Sequence, residues 1–229
     1  MSPKLSSSLP ALSGILGVLV LAVYFSQPLP IPTNTEPVAA FAAFGTRYHN
    51  EIMVGAWIQA IGTLLVSVFF LELVRLAGAV ARLSGLVTIF ATCALWVVGL
   101  VEVVASMAIA QAAGHGHVEG AAAAFDLTDV FIHVIPIGPA GAVYLALGAV
   151  LLGAAVLPRV FGYVALGLGA AFEVAGFVGL FDPTNPQPAI TIILILQELW
   201  VLAAASLALV RTLRSATVGP TRRPAQPTP

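Results

Sequence analysis

Long apolar segments separated by short polar turns are the feature that most limits how this chain can fold. Six of them approach or exceed the length of roughly 20 residues that a helix needs to cross a bilayer core about 30 Å thick. They are residues 9–25, 50–74, 84–111, 128–157, 160–181 and 188–211. Only 8% of the 229 residues are charged, whereas about a quarter are charged in an ordinary soluble domain. The sequence therefore predicts an all-α fold, a polytopic transmembrane helix bundle of six spans.

The organisation along the chain follows from these segments. Residues 1–213 are predicted to form the transmembrane domain, and residues 214–229 a disordered cytoplasmic tail, because the tail has too little apolar content to form a core. The first segment follows Lys4 and is short enough to be a signal peptide. The sequence after it, VYFSQPLPIP, has no small-x-small cleavage site. We therefore expect the first span to be retained.

Basic residues are distributed unequally between the two sets of loops. One side of the predicted bundle holds Lys4, Arg75, Arg82, Arg159, Arg211, Arg214, Arg222 and Arg223, and the other holds only Arg47. Basic residues mark the cytoplasmic side of a membrane protein, so both termini are predicted to be cytoplasmic. The preference for arginine over lysine, with abundant Ala, Gly, Val and Leu, fits a GC-rich bacterial genome. The expected location is the bacterial plasma membrane.

Charge and cysteine content exclude several classes of function. The net charge of −1 indicates no basic face for nucleic acid, so the lipid bilayer is the expected partner. The single cysteine, Cys93, excludes an internal disulfide, a CxxC redox pair and a thiolate metal cluster. The segment EPVAAFAAFGTR in the first outer loop is expected to be a short interfacial helix. Thr35 is its expected cap, Pro37 lies in its first turn, and Phe41 and Phe44 share one face.

Three glutamates lie inside predicted spans, and these are the most unusual residues of the chain. Glu102, Glu173 and Glu198 belong to spans three, five and six, in the outer half or near the midplane. A charged carboxylate at the centre of a span costs about 2.5–3.5 kcal/mol. No span carries an internal Lys or Arg to offset that cost. Each carboxylate must therefore be protonated, pair with a histidine or hold a cation from outside.

Helical spacing predicts where these glutamates face. Small and polar residues form a stripe on each of four spans, and such stripes normally face the bundle interior. The stripes are His49, Ala56, Gln59, Thr63 and Ser67; Thr88, Thr92, Gly99, Glu102 and Ser106; Asp126, Asp129, His133, Ala140 and Tyr144; and Gly169, Glu173 and Gly176. We expect the glutamates to converge in a cavity that opens outward, with Gln59, Gln197 and His133 beside them.

Several functions fit such a cavity. The leading hypothesis is binding or translocation of a proton, a cation or a small ligand. One alternative is an intramembrane enzyme acting on a lipid or isoprenoid, with Glu198 or Glu173 as general acid and His133 as orienting partner or base; this reading is less favoured. A third is a structural subunit, in which neutral glutamates bond neighbouring helices together. The expected protein partner is a second copy of the chain or another subunit of a membrane complex.

A metal site is an alternative for the histidines. In GHGHVEG, His115 and His117 could bind one divalent metal ion with Glu119 or His133. The simpler reading is a flexible outer loop, since no HExxH or similar spacing is present; no other cofactor is evident.

Other polar and proline positions have structural readings. Pro136 and Pro139, just after His133, should break or kink span four. Asp126 and Asp129 are expected at a helix start, and Glu72 and Arg75 are expected to pair at the inner interface. Trp96 and Trp200 are expected to pack within the bundle.

Three segments carry a resemblance to known proteins. RYHNEIMVGAWIQAIGTLL at the start of span two, VEVVAS in span three and ILQELWVLAAAS in span six resemble an uncharacterised family of bacterial six-helix membrane proteins, a domain of unknown function. This resemblance implies fold and location only. Small membrane-embedded terpene cyclases are similar in chemistry, since they also place carboxylic acids among hydrophobic helices, but no shared motif transfers a catalytic position.

Overall fold

Helices form every regular element in the described part of the chain. The computed structural model describes residues 3–26, 29–33, 36–181 and 187–217, and their side chains except those of 3–7, 131–137, 187 and 215–217. The helices are α1 (Pro3–Phe25), α2 (Val38–Arg47), α3 (His49–Leu76), α4 (Leu83–Gly114), α5 (Val118–Ile135), α6 (Gly141–Leu152), α7 (Arg159–Gly179) and α8 (Gln187–Thr217), with a π-helical turn, Pro136–Ala140, between α5 and α6.

Five of these helices, α1, α3, α4, α7 and α8, are long and apolar enough to cross a membrane. The fourth predicted span, 128–157, is also helical but is interrupted. It comprises the second half of α5, the π-helical turn and α6, and its apolar helix Gly138–Leu152 is shorter than the others. The predicted all-helical, polytopic membrane bundle is therefore confirmed. α8 continues to Thr217, beyond the predicted boundary at 213, and residues 218–229 lie outside the described residues.

Small residues determine how closely neighbouring helices approach. α1 and α3 pack antiparallel, and a Cβ on Gly17 would lie only 3.0 Å from the carbonyl oxygen of Gly62. α6 and α7 pack antiparallel in the same way, and a Cβ on Gly162 would lie 3.1 Å from the carbonyl oxygen of Gly148. Such close backbone approach is common between helices in membranes, where small residues allow dense van der Waals packing.

The two ends of the bundle differ in charge. At the α2 end, α2 packs beside the start of α3 and the end of α4. At the opposite end, which we call the arginine end, Arg75 donates from Nε to Glu72 Oε2 at 2.6 Å, which confirms that predicted pair. The beginning of α1 and the second half of α8 meet towards the same end, because Gly14 lies against Phe69 and Ala205. The first and last described helices therefore begin and end on one side of the bundle.

The π-helical turn lies where the sequence predicts a break in span four. Pro136 and Pro139 have no N–H, so the carbonyls of residues 132 and 135 would lose their donors in an α-helix. In the wider i→i+5 pattern, these carbonyls can accept from residues 137 and 140 instead. The turn therefore lets one helix continue through two prolines from α5 into α6.

The helix α2 forms as predicted and packs against the bundle. Its two phenylalanines, Phe41 and Phe44, are buried. The Phe41 ring lies 4.6 Å from the ring of Phe125 in α5, and Gly45 packs against Ala113 in α4. The residue before the helix is Pro37, which occupies the N-cap position. Thr35, the predicted cap, lies outside the described residues.

Several polar side chains of the spans face inward, and some large apolar side chains lie on the outer surface. Thr88, Thr92 and Ser67 are buried, with exposed fractions of 0%, 1% and 6%. On the outer surface, Phe90 is 78% exposed, which suits contact with lipid chains. The polar stripes of the spans were predicted to face the bundle interior, and this is correct for Ser67, Thr88 and Thr92.

Candidate functional site

Glu102 in α4 and Gln59 in α3 are polar neighbours inside the bundle. Glu102 is only 7% exposed. The antiparallel packing of the two helices brings these residues together. One turn further along, a Cβ on Gly99 would lie 4.0 Å from Thr63 Cγ2. The two predicted stripes thus meet at this interface.

Gln59 and Glu102 each have one side-chain oxygen without a partner. Gln59 Oε1 and Glu102 Oε2 are both buried and form no hydrogen bond within the described part of the chain. An ionised carboxylate and an amide oxygen can only accept hydrogen bonds. These two buried oxygens therefore lack a donor among the described residues.

Tyr24 of α1 completes this first site. Its ring packs on Gly55, one helical turn before Gln59, and a Cβ on Gly55 would lie 3.3 Å from Tyr24 Cε2. The Tyr24 phenol also has an electrostatic interaction with Glu102. Three helices therefore contribute to the environment of this carboxylate. We call Tyr24, Gln59 and Glu102 the Glu102 site.

Glu198 in α8 occupies a second site. Gln197 donates from Nε2 to Glu198 Oε1 at 3.2 Å, whereas Glu198 Oε2 is buried without a hydrogen-bond partner among the described residues. Tyr144 of α6, which is 1% exposed, interacts electrostatically with Glu198. The Tyr144 hydroxyl is also without a hydrogen-bond partner there. We call Tyr144, Gln197 and Glu198 the Glu198 site.

Aromatic rings from three helices surround Tyr144. The Tyr144 ring lies 5.6 Å from the rings of both Phe70 and Trp200, and 6.0 Å from that of Phe172. Trp200 donates from Nε1 to the Phe161 carbonyl oxygen at 3.0 Å, which fixes α8 against α7. Trp200 packs within the bundle, as predicted. These contacts define the position of the phenol relative to the carboxylate.

Glu173 in α7 has different neighbours. Its carboxylate lies against Gly141, the first residue of α6, where a Cβ would collide with Glu173 Oε1. Gly141 directly follows the π-helical turn, which also packs against α7. Glu173 is only half-buried. It therefore lies beside the break in span four and is more accessible than Glu102.

The structure brings the predicted site residues together in pairs. Gln59 pairs with Glu102, and Gln197 pairs with Glu198. The described residues contain no group of three His, Cys, Asp or Glu side chains that could hold a metal ion. Glu102, Glu173 and Glu198 thus do not assemble into one ligand set. The side chain of His133 lies outside those described, and its role stays a prediction.

The predicted histidine metal site is incomplete within the described residues. The rings of His115 and His117 are 6.1 Å apart between centroids, and His115 Nδ1 is 2.7 Å from the backbone carbonyl oxygen of Gln111. His115 thus interacts with the end of its own helix. Glu119 is exposed. These side chains form no metal-binding group among themselves, and only His133 is left to complete one.

Two tyrosines of these sites were not identified as site residues from the sequence. Tyr144 has a signal in the sequence, since it belongs to the polar stripe of span four. Tyr24 lies near the end of the first span, where an aromatic residue is expected merely to anchor the helix at the interface. Its position beside Gly55, one turn from Gln59, depends on how α1 packs against α3.

No family model, curated protein or solved structure matches this chain. The resemblance to a bacterial six-helix family therefore stays an expectation.

Proposed function

We propose that this protein binds a proton or a small cation at carboxylates inside the membrane. The observation that carries the proposal is that Glu102 and Glu198 each bury Oε2 without a hydrogen-bond partner among the described residues. A bare charge at that depth is costly, and intramembrane acidic residues commonly serve proton or ion pathways. A proton or cation from outside the chain would satisfy both oxygens.

The positions of the basic residues support the need for an external ligand. Every described arginine lies within about two turns of a helix end. Glu102 and Glu198 lie deeper, at about 18 Å and 16 Å from the α2 ends of their helices, given a rise of about 1.5 Å per residue. No arginine of the spans is therefore placed to neutralise either carboxylate.

The same distances favour exchange from the α2 side. The other ends of α4 and α8 are roughly 28 Å away from these glutamates along the helix axis. The positive-inside rule places the arginine end in the cytoplasm of a bacterial cell, so the α2 end would face outward. Glu173 is half-buried and about 9 Å from the α2 end of α7. It is suited to be the first carboxylate that an entering proton or cation meets.

Proton uptake by the purified protein in lipid nanodiscs tests this proposal. After a jump to lower pH, a soluble pH indicator should report protons taken up by the wild type, and Glu102→Gln and Glu198→Gln should each reduce the uptake by about one proton per chain. Cation binding is tested on the same samples by the shift in melting temperature with Na⁺, K⁺, Mg²⁺ or Ca²⁺.

The matched control is Glu119→Gln, which makes the same substitution at an exposed carboxylate. Its cation-dependent melting shift should equal that of the wild type. If Glu102→Gln and Glu198→Gln change uptake no more than Glu119→Gln, and no cation shift depends on them, the proposal is wrong.

The aromatic surroundings of Glu198 favour a second candidate function, an intramembrane enzyme acting on an isoprenoid lipid. Glu198 would protonate a double bond of the substrate as a general acid, and the cation would then lose a proton from another carbon to the Glu198 carboxylate, which restores the acid and leaves an isomer of the substrate. The faces of Tyr144 and Trp200 could stabilise the positive charge that forms, as aromatic rings do for cations. Mass spectrometry of polyprenyl lipids incubated with the protein tests it. A rearranged product formed by the wild type and absent with Glu198→Gln supports the enzyme, and unchanged lipids exclude it.

A further inference from the structure

Two arginines from separate parts of the chain contact the turn that joins α6 to α7, residues 153–158. A Cβ on Gly153 would lie 3.8 Å from Nη1 of Arg82, the residue before α4. Arg211 of α8 donates from Nη1 to the carbonyl oxygen of Val156. The Cα atoms of Gly153 and Val156 are at most about 11 Å apart, because an extended chain advances about 3.6 Å per residue. The α6–α7 turn therefore brings two guanidinium groups to one small surface.

A third arginine, Arg159, is the first residue of α7 and directly follows this turn. The residue before it, Pro158, provides no side-chain hydrogen bond to the start of α7, and Arg82 provides none to the start of α4. The first N–H groups of a helix have no partner within the helix and carry a partial positive charge. Arg82 and Arg159 are exposed, and neither forms an ion pair within the described residues. We call Arg82, Arg159, Arg211 and the α6–α7 turn the arginine surface.

Acidic side chains do not offset the charge of this surface. Within the described residues, Glu72 is the one acidic residue at the arginine end, and it pairs with Arg75 at 2.5 Å. The α6–α7 turn reads GAAVLP and carries no charged side chain. Gly153 and Ala155 of the turn are exposed, and neither has a side chain large enough to cover a guanidinium group. An anion that neutralises the arginine surface must therefore come from outside the described residues.

Exposed apolar side chains adjoin the arginines. Leu83 follows Arg82 and is 78% exposed, and Val160 follows Arg159 and is 58% exposed. We propose that the arginine surface binds the headgroup of an anionic phospholipid, whose acyl chains contact these apolar side chains. Arginine can donate two parallel hydrogen bonds to a phosphate, and basic pockets between spans on the cytoplasmic side bind such headgroups. A zwitterionic headgroup fits less well, because the arginines repel its ammonium group.

This surface lies at the opposite end of the bundle from the carboxylate sites, so the inference is independent of the proposed function. Native mass spectrometry of the full-length protein in detergent tests it, by titration with dioleoylphosphatidylglycerol or dioleoylphosphatidylcholine. The wild type should bind phosphatidylglycerol more tightly than phosphatidylcholine. Each basic residue near a membrane surface strengthens the binding of anionic lipid about fivefold. The double variant Arg82→Gln/Arg159→Gln should therefore bind phosphatidylglycerol about 25-fold more weakly.

Arg47→Gln is the matched control, because it removes an exposed arginine at the α2 end, and its affinity for phosphatidylglycerol should equal that of the wild type. Arg82→Lys/Arg159→Lys keeps both charges and should bind more tightly than the double glutamine variant. The inference is overturned if the wild type binds both lipids equally, or if the double glutamine variant loses no more affinity than Arg47→Gln. It is also overturned if inorganic phosphate raises the melting temperature through Arg82 and Arg159 while phosphatidylglycerol is not preferred, since the surface would then bind a soluble anion.

Discussion

Glu102 and Gln59 are neighbours on the packed helices α4 and α3, and each keeps a buried oxygen without a partner among the described residues. An unsatisfied buried polar atom costs about 1–3 kcal/mol. The pair is therefore the place where a single proton would have the largest effect on the stability of this helix contact.

Glu102→Gln should make the stability of the protein less dependent on pH. If the folded state of the wild type binds one more proton at this pair than the unfolded state does, stability falls as the pH rises and that proton is lost. The variant cannot ionise there. At alkaline pH it should therefore be more stable than the wild type by about 1–3 kcal/mol, measured by thermal unfolding in detergent with tryptophan fluorescence.

Glu119→Gln is the control for this comparison, because Glu119 is exposed. Its melting temperature should follow the wild-type curve from acid to alkaline pH. Parallel curves for wild type and Glu102→Gln would show that the pair does not gain a proton on folding.

Features of the fold that depend on one helix at a time could be predicted from the sequence. The spans follow from the thickness of a bilayer, the break in span four from two residues without N–H, and the orientation of Thr88 and Thr92 from helical periodicity. The predicted first and last residues of the helices were less accurate. α5 begins at Val118, before the predicted start at 128, because its first turns are too polar to be recognised as membrane-spanning.

The candidate site depends on contacts between helices, and the sequence predicts these less well. The stripes placed Gln59 and Glu102 on inward faces, and α3 and α4 are joined by a short turn, so their meeting could be expected. The electrostatic interactions of Tyr24 with Glu102 and of Tyr144 with Glu198 depend on which helices are neighbours and on how far each is shifted along its axis. The sequence does not determine which helices are neighbours. For this reason it correctly placed each of the three glutamates in a helix but did not predict that they form no common metal-ligand set among the described residues.

Gly141→Ala should destabilise the protein by displacing Glu173. The new Cβ would collide with Glu173 Oε1 and would lie 2.6 Å from Cδ, and overpacking of this kind costs about 1–3 kcal/mol. Glu173→Ala removes the colliding atoms, so the double variant should recover most of the loss, which a double-mutant cycle on thermal unfolding measures.

Gly167→Ala is the matched control, because a Cβ there would have no neighbour within 4 Å. It should leave the unfolding free energy unchanged or slightly raised, since alanine favours a helix by about 1 kcal/mol over glycine. Equal losses for Gly141→Ala with and without Glu173 would contradict the predicted contact.

Trp200→Phe should weaken the packing of α8 against α6 and α7. The substitution removes the hydrogen bond from Nε1 to the Phe161 carbonyl oxygen and part of the ring contact with Tyr144. The unfolding free energy should fall by about 0.5–1.5 kcal/mol from the lost hydrogen bond and further from the lost ring contact. Trp57→Phe is the matched control, since Trp57 is 63% exposed, and it should change stability by less than about 0.5 kcal/mol. Similar losses for both variants would indicate that Trp200 is not a structural anchor.

The orientation of the bundle can be tested with single cysteines in a Cys93→Ser background. Glu119→Cys lies at the α2 end and Arg159→Cys at the arginine end, and both native residues are exposed. With the arginine end in the cytoplasm, a membrane-impermeant maleimide should label Glu119→Cys in intact cells. Arg159→Cys should be labelled only after the membrane is permeabilised. The reverse labelling pattern would show that the protein has the opposite orientation in the membrane. Glu102 would then exchange protons with the cytoplasm.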